Sequence, residues 1–182
     1  MKLSKIALAT GILTLSLTAL TAQAADQGSG TVQFKGTVID APCGITSDSA
    51  DQVVDFGQLN LANLKAGGVS PTKNFKIELI NCDITSFVQG GKNGTVTVSF
   101  TGGTVQGKPA MLGTTGGTGV GIVLTSQQSG AEISFDGSAS APMVLQDNSN
   151  QFTFGAVAKA ADVATVTAGE FNATANFSLA YQ

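Results

Sequence analysis

From Gly30 to the C-terminus, apolar side chains recur at every second position, the period of a strand with one buried face. Residues 31–38 place Val32, Phe34 and Val38 on one face, with Gly36 in the same phase. Residues 73–79 repeat the pattern with Phe75, Ile77 and Leu79 inward, and residues 95–100 predict a third strand. Residues 120–124 and 131–135 predict two more around Ser129-Gly130, and another begins at Phe152, Phe154 and Ala156. The last twelve residues are the most regular, since Phe171, Ala173, Ala175, Phe177, Leu179 and Tyr181 all share one phase. Turn-rich stretches such as residues 90–94, Gly102-Gly103 and Asp136-Gly137 separate these runs. Short strands with frequent turns predict an all-β antiparallel sandwich. Only residues 59–66, with Leu61 and Leu64 at helical spacing, predict a single helical turn.

The N-terminus breaks this pattern. Lys2 and Lys5 precede an almost uncharged apolar run from Ile6 to Leu20, and Ala22-Gln23-Ala24 follows, the layout of a cleaved secretory signal. The run is short for a membrane span, and no stop-transfer charge cluster follows it. Cleavage after Ala24 would leave 158 of the 182 residues, the length of one domain, and neither repeats nor a linker suggest a second. The signal would take two lysines with it, leaving seven lysines against twelve carboxylates and a net charge of −5. The chain has no arginine, so the forked, basic surface that phosphate recognition uses is missing and nucleic acid is not an expected partner. Exported chains meet an oxidising compartment, where Cys43 and Cys82 are expected to pair as a structural disulfide; a redox pair normally needs C-x-x-C spacing.

Candidate chemistry is sparse. With no histidine, Ser-His and Cys-His nucleophiles and His-ligated metals are excluded. The glycine-rich residues 113–121 superficially suggest a phosphate cradle, but a strand pattern rather than a helix follows and no Gly-Lys-Ser/Thr is present. Asp48, Asp51 and Asp55 lack the turn glycine and closing glutamate of a calcium loop, and so predict a solvated acidic loop. Asn93, Asn172 and Asn176 begin glycosylation-type triplets, two of them inside the predicted last strand, which favours chance occurrence. No catalytic residue, metal or cofactor is therefore expected; an enzyme reading would rest only on unplaced carboxylate pairs.

The most regular strand patterns thus stand at the two extremities, and a long apolar-alternating terminal strand left unpaired is an adhesive edge. The first of them precedes Cys43, so it could leave its own domain without disturbing the disulfide. Periodicity alone fits a complete sandwich equally well, since complete sandwiches also end in strands. The residues themselves go further. Residues 30–36 (Gly-Thr-Val-Gln-Phe-Lys-Gly), Ala41-Pro42-Cys43, Asn81-Cys82-Asp83 and the ending Phe177-Ser178-Leu179-Ala180-Tyr181-Gln182 resemble the pilin subunits of chaperone-usher fimbriae, most closely the type 1 fimbrial major subunit. The resemblance covers essentially the whole chain after the signal. It includes that family's penultimate tyrosine, Tyr181, and its glycine fourteen places from the end, Gly169.

This resemblance implies an incomplete immunoglobulin-like β-sandwich that lacks its seventh strand, leaving a groove along the C-terminal strand. It implies three regions: a signal peptide at 1–24, an N-terminal donor-strand extension at 25–40 and a pilin domain at 41–182. A periplasmic chaperone would fill the groove first, and the extension of the next subunit would replace it at an outer-membrane usher. Gly30, Val32, Phe34, Gly36 and Val38 would then enter five successive pockets, Gly36 as the small donor residue and Val38 as the position where exchange begins. The acceptor and chaperone-contact strand would present Gly169, Phe171, Ala173, Ala175, Phe177, Leu179 and Tyr181. Because donor and acceptor are different surfaces, such contacts between copies do not close and generate a filament. The implied function is a structural rod subunit of a surface fimbrium supporting cell adhesion, associated with itself and with other fimbrial subunits. The alternatives are a minor or adaptor subunit, and a self-complete secreted binding module.

Overall fold

A computed structural model describes residues 29–182. The expected signal peptide lies outside them. The chain divides into two units, one ending at Thr37 and the other running Val38–Gln182.

The larger unit contains β1 (Gly44–Ile45), α1 (Ser47–Ala50), α2 (Leu61–Lys65), β2 (Lys73–Cys82), α3 (Ile84–Gln89), β3 (Thr95–Gly102), β4 (Thr104–Val105), β5 (Lys108–Gly113), β6 (Val120–Ser126), β7 (Glu132–Ile133), β8 (Asp136–Ala139), β9 (Met143–Val144), β10 (Asn148–Ala160) and β11 (Ala175–Tyr181). One sheet runs β1-β2-β10-β6-β5-β4, with β7 also on β6; the other runs β11-β3-β8, with β9 also on β3. All the strand pairs are antiparallel. This is the expected all-β sandwich.

The alternation seen in the sequence becomes the core. On β2, Ile77 and Leu79 are fully buried, and β10 sets Phe154 opposite Phe75. Their rings stack 5.5 Å apart, and Phe100 of β3 meets Phe154 edge-on at 5.3 Å, which locks the two sheets together. Central β6 is buried on both faces, so it reads as a nearly continuous apolar run. The disulfide Cys43–Cys82 forms, joining the start of β1 to the end of β2.

Three expectations shift. Residues 31–38 form no strand, and residues 29–40 are all exposed, because alternation becomes a strand only where a ladder partner lies alongside. The last strand begins at Ala175 rather than Phe171: the isolated bridge between Thr115 and Asn172 draws the preceding residues onto the glycine-rich loop instead. Residues 131–135 pair only over Glu132–Ile133. The helical turn is present as α2, where the Asn60 side chain accepts the Asn63 N–H at 3.1 Å as an N-cap. Asn60→Ala should cost about 1 kcal/mol, read as a fall in denaturation midpoint with unchanged m.

Candidate functional site

β11 pairs with β3 on one side only, from Ala175 opposite Gly102 to Tyr181 opposite Val96. Its other edge carries no strand among the described residues. The consequence shows in its burial. Ala175, Phe177, Leu179 and Tyr181 point inward and pack on the core, yet each stays partly exposed, while Val96, Val98 and Phe100 of the neighbouring β3 are at most 3% exposed. A strand whose inward face is only half covered is a strand with a neighbour missing.

Residues 53–61 form a second apolar row. Val54, Phe56, Leu59 and Leu61 alternate with exposed positions and pack on the core without forming a strand. Phe56 meets Phe171 with ring centroids 6.2 Å apart. Between this row and residues 167–172 lies a cleft of about 860 Å³, lined also by Leu64, Thr118 and Val120. It sits at the β11 end where the strand starts. At the other end, Phe87 of α3 packs edge-on against Tyr181 at 6.3 Å. Asp83 caps α3 by accepting the Ser86 N–H at 3.0 Å, and that bond holds its carboxyl below the usual range. Burial pushes the Tyr181 hydroxyl up from its ordinary value.

The glycine-rich loop builds the cleft wall. Gly116, at φ +96°, lies so close to Glu170 that a Cβ there would collide with its carbonyl, and Gly119 sits at φ +70° beside Thr165 and Val166. Backbone bonds Thr115 N–H to Asn172 O, 2.8 Å, and Thr167 N–H to Thr118 O, 3.0 Å, hold the segment leading into β11 against that loop. Close backbone approach is what these glycines supply.

Of the residues proposed for the acceptor strand, the structure brings Ala175, Phe177, Leu179 and Tyr181 onto one face and puts Gly169 and Phe171 in the cleft lining; Ala173 is exposed. Of the donor residues, Val32, Phe34 and Val38 are 75%, 90% and 99% exposed, and a Cβ added at Gly30 or Gly36 would point into open space. The row at Val54, Phe56, Leu59 and Leu61 was not anticipated. Its signal was there in the alternation Val54-Asp55-Phe56, interrupted by Gly57, which adopts φ +63°.

The chain is thus a two-sheet β-sandwich in which β11 has one uncovered edge among the described residues. The family model described as Fimbrial protein matches residues 32–182, and the chain belongs to that family. The Pap fimbrial major pilin protein of Escherichia coli is 49% identical over 160 residues, covering 86% of this chain and 85% of that one. The Type-1 fimbrial protein, C chain, of Escherichia coli is 36% identical over 189 residues, covering both chains completely. A structure of a chaperone-usher pilus, solved for the molecular basis of its rod uncoiling, superposes with a TM-score of 0.80 at 48% identity, covering 88% of this chain and 100% of that one. The chain is accordingly a structural subunit of a chaperone-usher fimbria with the immunoglobulin-like pilin fold.

Proposed function

We propose that the subunit polymerises head to tail by donor-strand exchange, residues 30–38 of one copy filling the open edge of β11 in the next. The observation that carries this reading is the half-burial of Ala175, Phe177, Leu179 and Tyr181 on an edge with no strand beside it. The complementary piece is the exposed row Val32, Phe34 and Val38, which has the same two-residue period. Main-chain bonds along β11 would supply affinity, and alternate side chains entering the groove would supply register.

An antiparallel insertion fits best by size. It sets Gly30 beside Tyr181, Val32 beside Leu179, Phe34 beside Phe177 and Gly36 beside Ala175, and brings Val38 to the cleft. The largest inward residue of β11 thus meets a residue without a side chain, and the roomiest part of the groove receives a valine. The nine residues span roughly 26 Å when extended, more than the seven residues of β11 cover, so the strand would reach past the start of β11. Before exchange, a periplasmic chaperone would cover the same edge, and an outer-membrane usher would be the place where the donor replaces it. Export through the periplasm and assembly on the outer surface complete the reading.

The test is refolding of a chain lacking residues 25–39, with and without a synthetic peptide spanning residues 25–40. The shortened chain should melt low alone and be strongly stabilised by the peptide, by about 2.7 kcal/mol at a hundredfold excess over its dissociation constant. Equal stability without peptide would mean a self-complete sandwich and would sink the proposal.

A further inference from the structure

Two aromatic side chains stand on the inward face of β11, and each rests on a second ring. Phe177 lies against Phe100 with centroids 6.2 Å apart, and Phe100 is 3% exposed, so that support is part of the core. Tyr181 meets Phe87 edge-on at 6.3 Å, and Phe87 belongs to α3, a helix with no buried residue. The last ring of the groove is therefore braced from a surface element.

α3 is nonetheless fixed at both ends. At its start, Asp147, between β9 and β10, accepts the Ile84 N–H at 2.8 Å, and Ile84 packs on the core. Beyond its end the chain doubles back against the helix through Gly94, φ +67°, where a Cβ would come within 3.2 Å of Val88 Cγ2. Thr95 follows directly and exchanges both backbone bonds with Gln182, at 3.0 and 2.9 Å. One corner thus joins α3, the start of β3 and the end of β11. Within it Tyr181 is partly exposed while its hydroxyl oxygen is closed to solvent, so the rest of the residue, not the oxygen, meets the solvent.

We propose that Phe87 is a positioning residue for strand donation: it holds the Tyr181 ring in place before a strand arrives, and so preorganises the end of the groove where Gly30 of a second copy would lie. The inference rests on the donor-strand reading above. A ring free to rotate would have to be fixed again on binding, and immobilising one such side chain weakens association by roughly two- to tenfold. The Phe87 contact meets that cost during folding, from outside the strand ladder. Because α3 lies outside the core, the support can be removed without dismantling the sandwich.

The chain carries its own reporter, since Tyr181 is its sole tyrosine and it has no tryptophan. The acceptor is the full chain with Phe34→Asp, which spoils its own donor row and leaves β11 unaltered; the ligand is the native peptide spanning residues 25–40. Adding Phe87→Ala should weaken peptide binding by roughly two- to tenfold. Before peptide is added, it should also make the tyrosine emission easier to quench with acrylamide, and saturating peptide should remove that difference. Val88→Ala, on the same helix but bordering Gly94, should change neither quantity. Phe87→Leu, which keeps apolar bulk beside the ring, should restore most of both. Unchanged affinity in Phe87→Ala would overturn the inference while leaving strand donation standing. A loss of affinity without a change in quenching would do the same, and so would an equal loss from Val88→Ala, which would assign the effect to the helix as a whole. Failure of the peptide to bind the acceptor with Phe87 intact would instead overturn the donor-strand reading and the inference with it.

Discussion

Phe34→Asp should abolish assembly of the subunit into multimers and leave the thermal unfolding of the Val38–Gln182 unit where it was. Phe34 is 90% exposed, so its ring adds almost nothing to the folded subunit. In a donated strand the same ring would lie beside Phe177, and burying a phenylalanine contributes about 1.5–3 kcal/mol. Aspartate forfeits that contribution and must also bring a carboxylate into an apolar groove, at a cost of several kcal/mol more or by taking up a proton. Together these exceed about 4 kcal/mol, a loss of roughly a thousandfold or more at every joint. A filament is a series of such joints, so the mean length collapses. The contrast is Gln33→Asp, one residue away on the outward face, which should assemble as well as the parent. Heat-resistant multimers resolved on a gel, with calorimetry on the same samples, read both quantities. Multimers of ordinary stability from the Phe34→Asp chain would refute donor insertion in the proposed phase.

The sequence made the central strands legible because each has one buried face that forces alternation. Ile77 and Leu79 on β2, and Phe152 and Phe154 on β10, announce themselves in this way. β8 and β9 did not, since Asp136–Ala139 is wholly exposed and is a strand only through its ladder to β3. β5 was hidden by Pro109 and by its short apolar stretch Met111-Leu112. The helix α3 was missed although its signal is local: Asp83 caps it, and Ile84, Phe87 and Val88 recur at helical spacing. For the site, the sequence showed both terminal apolar rows, the last more regular than the first, but one of them forms no strand. Periodicity reports which side chains want burial. It does not report whether a ladder partner lies alongside, and that difference separates residues 31–38, which are exposed, from residues 175–181, which pair with β3. The wall at residues 53–61 escaped notice for the same reason, being an alternating row with no ladder of its own.

Replacing the cross-link, Cys43→Ala with Cys82→Ala, should lower the unfolding free energy by about 4 kcal/mol, the loop-closure value for a separation of 39 residues. Against a total of roughly 5–15 kcal/mol for a domain, that is a large fraction. The position makes the loss consequential. β1 is two residues long and meets the sheet only along β2, through Gly44 opposite Ile80 and Ile45 opposite Leu79, with Thr46 N–H reaching Glu78 O at 3.1 Å. Without the disulfide, this edge keeps that short ladder, the Asp83 N–H bond to Pro42 O at 2.9 Å and the Glu78 N–H bond to Ser49 Oγ at 2.9 Å. The loop that the disulfide closes contains Val54, Phe56, Leu59 and Leu61, which wall the cleft facing residues 167–172. Freeing it should therefore weaken donor binding as well as folding, so peptide affinity and denaturation midpoint should fall together on reduction. Denaturant titration of oxidised and reduced chains, each repeated with the peptide spanning residues 25–40, separates the two effects. A drop below about 1 kcal/mol would mean that β1 holds through its ladder alone. Loss of stability with undiminished peptide affinity would place the groove wall on contacts independent of the disulfide. A sandwich with one edge uncovered buries less of its own apolar surface than a complete one, and a covalent tie at the start of β1 offsets part of that deficit.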